Sequence, residues 1–293
     1  MKVLLITGDR RFGPGNERYE LQRNAVEELA VVFWGRGSLW PKIPPGQFDV
    51  VSAQDPFWRG LFGWRVAKKL GAKFNVQVHT DLSAQSLVRH VLGQIVLRHA
   101  DSVRVVSEKI KQQVARIGVR AKISVLPVFV DLEKFRTISR ALQLPKTILW
   151  IGRFEPEKDP LYAFEVLRQV PGARLVMLGA GSLAGELKQK AEGLSVSFPG
   201  WQDLKPYLAQ ADMVLCTSRH ESWGQSIVEA LAAGVPVVAP DVGIAREAGA
   251  LIAPRADLAE KVKEVLQSGA RGELKLNVLA APQWVAAWKQ SLT

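Results

Sequence analysis

The sequence predicts an α/β fold of two Rossmann-like, doubly wound domains. Three observations predict it. Short runs rich in Val, Ile and Leu recur along the whole chain, stretches with the helical period separate them, and 293 residues exceed one typical domain of about 100–200 residues. Strands that alternate with helices imply right-handed crossovers and mostly parallel sheets.

The strand-like runs are KVLLIT, FDVVSA, KFNVQVHT, SVRVVS and KISVLPV in the first half, and TILWIG, RLVMLG, VSFPG, MVLCT and VPVVAP in the second. The seam between domains falls in residues 142–146, after a turn-like region at 131–135 and before the strand that opens at Thr147. No Ser/Gly-rich linker marks it, so a short hinge is expected. The expected domains are 1–143 and 144–275, followed by a C-terminal helix over 276–293. In that helix Trp284 and Trp288 stand four residues apart on one face, which must be covered by another part of the protein.

Composition narrows the class. A hydrophobic fraction of 47% with 23% charged residues is that of a soluble globular protein, and no apolar run approaches the ~18 residues of a membrane span. The apolar run at 3–7 passes directly into Gly8, Asp9, Arg10 and Arg11, so it reads as a first strand rather than a secretory segment. Cys216, the single cysteine, lies in a strand-like run and reads as a buried thiol. A cytoplasmic location is the expectation. Net charge is +11, and its distribution is one-sided: residues 1–143 hold 23 Lys and Arg against 12 Asp and Glu, whereas residues 144–293 hold 16 of each. Such a field points the first half toward an anionic partner, either a phosphorylated acceptor or an anionic membrane surface. A nucleic acid is the rival anion, but no nucleic-acid motif accompanies the charge and none is expected to bind.

Ligands of open α/β sheets bind beyond the carboxyl ends of the strands, where helix N-termini favour phosphate. Two junctions of the second half offer such a place. After TILWIG, the loop Gly152-Arg153-Phe154-Glu155-Pro156-Glu157-Lys158 carries two cations that could converge on a diphosphate, with arginine gripping oxygens bidentately. After MVLCT, the loop at 218–224 carries Glu221, and a helix beginning near Gln225 leaves the amides of Trp223, Gly224, Gln225 and Ser226 to face an anion or sugar hydroxyls. Glu229, one turn into that helix, could accept from two vicinal hydroxyls. Taken alone, a basic loop pair is ordinary solvated surface and Glu229 an ordinary helix-start carboxylate. In the first half His79 ends the strand KFNVQVHT, and Gly13 and Gly15 sit in the loop after the first strand, where they permit tight turns and backbone exposure.

The segment HESWGQSIVEALAAGVPVVAP, residues 220–240, resembles the E-x7-E signature of retaining glycosyltransferases with the GT-B fold, family 4 especially. Gly152, Arg153 and Lys158 resemble the G-R-x4-K element of that family, and FDVVSAQDPF, VQVHTD, ISVLPVFVDLEKF and LVMLGAGS follow its order. The resemblance implies two Rossmann-like domains facing a cleft, a UDP- or GDP-linked sugar as donor substrate, and no further cofactor. It implies that Arg153 and Lys158 hold the donor diphosphate, Glu229 the ribose, and Glu221 the transferred sugar. It likewise implies that His79 faces the same sugar, that the Gly13–Gly15 loop approaches donor and acceptor, and that the last helix crosses back to the first domain. No metal is implied, and the chain contains no Asp-x-Asp, the usual metal-diphosphate bridge of the other large glycosyltransferase fold.

The sequence departs from the family pattern in being shorter, with material missing between the first strand and FDVVSA. It also reads Pro127-Val128-Phe129-Val130-Asp131 at the usual P-N-G-V-D turn and has an abbreviated loop over 241–252. These departures bear on the acceptor, which is expected to be a glycan, a lipid-linked sugar or another cell-envelope molecule. A nucleotide-sugar epimerase or hydrolase, and a sugar-binding subunit without catalysis, use the same donor grip. In residues 55–73 a helical projection puts Phe62, Val66 and Leu70 on one face and Phe57, Leu61, Trp64 and Lys68 on another. The second face either packs on a neighbouring helix or rests on an anionic membrane, which would place the protein peripherally at the inner face.

Overall fold

The structure, a computed structural model, describes residues 1–35, 41–141 and 144–293. Its contacts divide the chain into two compact units, Met1–Phe129 with Leu279–Thr293, and Val130–Val278. The sequence seam at 142–146 includes residues 142 and 143, which lie outside the described residues.

In the first unit the order is β1 (Lys2–Thr7), α1 (Glu17–Ala25), β2 (Glu28–Phe33), β3 (Val50–Ala53), α2 (Trp58–Leu70), β4 (Lys73–Val78), α3 (Leu87–Arg98), β5 (Ser102–Val105), α4 (Glu108–Ala115) and β6 (Lys122–Val125). The strands form one parallel sheet in the order β2-β1-β3-β4-β5-β6. Burial of β1 on both faces explains its continuous apolar run, whereas β3, β4 and β5 bury Ser52, Asn75, Gln77, Ser102 and Arg104 among their apolar residues. By contrast β2 is an edge strand that buries only Leu29 and Val32; residues 29–33 are continuously apolar, yet this strand is not among those read from the sequence. It fills part of the interval that reads as missing between the first strand and FDVVSA.

In the second unit the order is α5 (Glu133–Arg136), β7 (Lys146–Ile151), α6 (Tyr162–Arg168), β8 (Ala173–Leu178), α7 (Ala184–Lys190), β9 (Val196–Ser197), α8 (Leu204–Gln210), β10 (Met213–Leu215), α9 (Gln225–Ala232), β11 (Val237–Ala239), α10 (Ala245–Ala248), β12 (Leu251–Ile252) and α11 (Leu258–Ser268). Its parallel sheet runs β12-β11-β10-β7-β8-β9. Trp150, Phe154, Phe164, Met177, Leu215 and Val262 belong to one core there. The unit begins at Val130, earlier than the sequence boundary of 143/144. The reason is local: the Arg140 guanidinium donates to the carbonyls of Ala211, Asp212 and Gly234, and α5 packs on α9.

The last helix, α12 (Ala281–Gln290), belongs to the first unit. Trp284 and Trp288 join Val3, Leu5, Val50 and Leu126 in a core cluster, and Trp284 Nε1 donates to the Pro127 carbonyl at 2.8 Å. Behind it the chain end is held by polar pairing, because Asn75 and Ser102 donate to the carbonyls of Ser291 and Leu292 at 2.8 and 2.9 Å. Each buried donor thereby gains a partner that water can no longer supply.

Helix α2 buries Phe62 and Val66, as its first apolar face requires. Its second face is partly covered, with Leu61 and Trp64 half-buried and Lys68 exposed. Phe57 caps the helix in a buried position, and Trp64 stacks on His99, just past α3, at 4.1 Å between ring centroids, with Lys68 Nζ 5.9 Å from the Trp64 ring.

Candidate active site

Strand order locates the site in the second unit. From β7 the chain moves outward to β8 and β9, then returns so that β10 lies on the other side of β7. The loops that leave β7 and β10 therefore part in opposite directions, opening a crevice at their carboxyl ends.

The loop after β7 carries Gly152, Arg153 and Lys158. An added Cβ on Gly152 would press on the Trp150 ring at 3.0 Å, so the loop lies close over the strand's last indole. Arg153 is exposed and pairs with Glu157 at 2.7 Å. Lys158 ends a short 3-10 turn at Pro156–Lys158, and its ammonium lies 2.5 Å from Glu221 Oε1, on the loop after β10. Ser218 Oγ donates to the same oxygen at 2.9 Å. Lys158 and Glu221 are both largely buried, so each depends on the other for compensation of its charge.

Asp159 fixes the backbone beneath Lys158. It adopts a left-handed conformation with φ of 46°, and its carboxylate takes Arg219 at 2.8 Å and Arg255 at 2.5 Å. Thr217 Oγ1 accepts from Trp150 Nε1 and donates toward the carbonyls of Lys158 and Asp159. None of Asp159, Thr217 and Arg255 is picked out by the sequence motifs, since their partners lie up to 96 residues away. Gly179 is a further supporting residue: a Cβ there would collide with the Gly152 carbonyl. Its signal in the sequence is the strand-end LGAGS.

Gly224 precedes α9 with φ of 106°, a conformation that favours glycine and turns the chain into the helix. Among the described residues no side chain caps α9, and its first turn holds no acid, so the site of Gln225 and Ser226 is left electropositive. Trp223 is buried, Gln225 exposed and Ser226 half-buried. Glu229 accepts from Gln225 Nε2 at 2.8 Å; burial raises its pKa, against which the Gln225 bond and Lys134 act. Burial, with Glu221 adding to it, pushes the Cys216 thiol up to about 11, so it is a protonated, poorly nucleophilic group at neutral pH.

His79, Gly13 and Gly15 lie in the first unit. His79 follows β4, and its Nε2 lies 3.2 Å from Gln77 Oε1. That oxygen can only accept and also takes Arg104, so Nε2 carries the proton and Nδ1 is the acceptor. Burial, then Arg104 and Arg18, holds the imidazole well below its ordinary pKa of 6.5, and it is neutral. Gly15 has a φ of 84°, while an added Cβ at Gly13 would meet nothing. The loop between them and β1 is held by Asp9, which pairs with Arg18 at 3.2 Å.

The fold is that of the GT-B glycosyltransferases. Over its full length the chain superposes on the structure of Anabaena HepE in complex with UDP and glucose, covering 95% of that chain with a TM-score of 0.75 at 17% identity. Residues 2–134 match the family model Glycosyltransferase Family 4, and residues 145–268 match Glycosyl transferases group 1. The chain is 32% identical over 150 residues to the lipopolysaccharide core biosynthesis glycosyltransferase LpsE of Rhizobium meliloti, which spans 48% of this chain and 44% of that one. It is 30% identical over 233 residues to the D-inositol 3-phosphate glycosyltransferase of Mycobacterium tuberculosis, 68% of this chain and 48% of that one. The chain spans about half the length of these curated relatives.

Proposed function

We propose that this protein is a retaining glycosyltransferase that moves a hexose from a UDP- or GDP-linked donor to a cell-envelope glycan or lipid-linked acceptor, without a metal ion. The observation that carries the reading is the Lys158–Glu221 pair at 2.5 Å, which ties the two loops at the β7/β10 switch point together where a nucleotide diphosphate would lie. Support also comes from the relatives, one of them a lipopolysaccharide core enzyme, and from a neighbour holding UDP and glucose.

In this reading Arg153, Lys158 and the amides at Gly224, Gln225 and Ser226 offset the charge that grows on the diphosphate as the glycosidic bond breaks. Lys158 exchanges Glu221 for a phosphate oxygen. Glu221, relieved of the ammonium, accepts from hydroxyls of the transferred sugar. Glu229 accepts from the ribose, the backbone at Gly152 and Trp223 shapes the floor, and neutral His79 offers its Nδ1 lone pair to a sugar hydroxyl. The loop holding Gly13 and Gly15 serves the acceptor. Cys216 takes no nucleophilic part, and the departing phosphate acts as base for attack on the same face. The protein works on the cytoplasmic side, next to the membrane that carries its acceptor.

The test is transfer of labelled sugar from a panel of UDP- and GDP-sugars to envelope lipid and glycan extracts, with the anomeric configuration of the product read by NMR. Retained configuration in a chelator-treated reaction is expected. Free sugar without a transfer product would instead favour a hydrolase, and an inverted product would remove the retaining mechanism.

A further inference from the structure

Helix α3 (Leu87–Arg98) has two apolar faces, and only one of them is covered by the described residues. Gly93, Val96 and Leu97 are buried, and Gly93 lets Phe57 approach to within 3.4 Å of where its Cβ would stand. On the other side Leu87 is 78% exposed, Val88 67%, Val91 48% and Ile95 43%. At about 100° per residue these four fall within one arc of roughly 100°. Four aliphatic side chains in one arc, all turned to water, form a contiguous patch that a water-facing helix does not ordinarily carry. Trp58, 58% exposed, opens the neighbouring α2.

The charge on the two helices themselves has one sign. Over their 25 residues α2 and α3 carry Arg59, Arg65, Lys68, Lys69, Arg89 and Arg98 and no aspartate or glutamate. The residues at the N-terminal ends of both helices also line a cavity of about 500 Å³, bounded by Trp34, Asp55, Trp58, Arg59 and Arg89. Arg59 pairs there with Asp55, and the Arg89 guanidinium lies 4.0 Å from the Phe57 ring centroid. Aliphatic side chains for the acyl boundary, cations for anionic headgroups and an arginine-lined recess beside them form one surface. A protein partner or a second copy of this chain would need to supply a matching acidic surface. The chain's own excess of cations, +11 overall and concentrated in this half, opposes self-association through this face.

We infer that the exposed face of α3, with the flanking cations of α2, docks the protein on an anionic lipid bilayer. This centres the membrane contact on α3, whose aliphatic face is more exposed than that of α2, where Trp64 is half-buried beside His99. The inference deepens the reading of an envelope-borne acceptor, yet its test does not require transfer activity. Insertion of a few aliphatic side chains gives only reversible binding, and headgroup attraction to Lys and Arg supplies the remainder. Binding is therefore expected to need both.

The experiment is flotation of the full chain with vesicles of phosphatidylcholine alone or mixed with phosphatidylglycerol, at low and high salt, with sedimentation velocity run in parallel. Wild type is expected to float with phosphatidylglycerol vesicles at low salt and to be released by high salt. Val91→Asp/Ile95→Asp, on exposed positions, is expected to weaken flotation at least about tenfold while leaving circular dichroism and the melting temperature unchanged. Arg65→Glu/Lys69→Glu should abolish the preference for the anionic lipid. Failure of wild type to float with anionic vesicles, or equal flotation of the Val91/Ile95 variant, overturns the inference. A dimer that the same variant dissociates, without vesicle binding, assigns the face to a second copy and overturns it too. Loss of vesicle binding with transfer to a soluble acceptor retained would leave the transferase reading standing, and the reverse outcome would separate them equally well.

Discussion

Lys158 Nζ and Glu221 Oε1 lie 2.5 Å apart, and this contact joins the loop after β7 to the loop after β10. Both side chains are largely buried, so removing either leaves a charge with no compensation. Lys158→Ala and Glu221→Ala are each expected to lower the melting temperature, and Lys158→Ala/Glu221→Ala to recover part of the loss, as measured by a double-mutant cycle of thermal melts. Turnover follows a different rule. Lys158→Ala is expected to lose about a hundredfold in transfer rate, the scale of one preorganised electrostatic contact, and the double variant should not regain it. Recovery of activity in the double variant would show that Lys158 acts only through Glu221.

Arg153 is exposed and meets only Glu157, at 2.7 Å, among the described contacts. Exposed pairs contribute little to stability, so Arg153→Ala is expected to leave the melting temperature within the error of measurement. Transfer should still fall by about a hundredfold. Glu157→Gln removes the competing carboxylate, and the expected result is tighter binding of a nucleoside diphosphate in calorimetric titration. Weaker binding would mean that Glu157 positions Arg153 rather than competing for it.

Glu229 has a raised pKa, chiefly through burial. The sign follows from proton linkage: a carboxyl that binds its proton more tightly when folded stabilises the fold at pH below its unfolded value near 4.5, and loses that contribution as pH rises through the folded value. At neutral pH the folded state bears the cost of a half-buried carboxylate. Glu229→Gln is therefore expected to raise the melting temperature at neutral pH, with the gain shrinking under acid conditions, while nucleotide affinity falls. A higher melting temperature with unchanged affinity would remove Glu229 from the ribose.

His79 gives the opposite pH dependence to that of Glu229. Its folded pKa lies well below 6.5, so above 6.5 both states are neutral and nothing is lost. As pH falls below 6.5 the unfolded chain takes up a proton that the folded one refuses, and stability declines toward the folded value. Denaturant melts across this window should show a steeper acid loss for wild type than for His79→Asn. Parallel curves would mean that the imidazole is freely protonated in the folded state.

The sequence disclosed the parts of this fold whose pattern is local. The two-sided burial of β1 and β7 leaves continuous apolar runs, and Arg153, Lys158, Glu221 and Glu229 stand at readable spacings on strand-end loops and the helix that follows. Edge strand β2 carries an apolar run at 29–33 with no strand-end motif beside it, and the two residues of β12 are too short to mark one. What holds the site together is not local at all. Asp159 meets Arg219 and Arg255, Thr217 meets Trp150, and Gly179 makes room for Gly152 across wide gaps in the chain, through pairings that depend on strand order. The faces of α2 show the same limit: periodicity identifies two apolar stripes but cannot tell that His99 partly covers Trp64 while the stripe of α3 is more exposed.

The most direct test of the central claim is calorimetric titration of UDP- and GDP-sugars into wild type and into Lys158→Ala. One nucleotide-sugar is expected to bind wild type at a single site and to bind the variant at least about tenfold more weakly, a difference of about 1.4 kcal/mol. Binding of no nucleotide-sugar to wild type, or equal affinity in the variant, would contradict a donor site at the β7/β10 switch point.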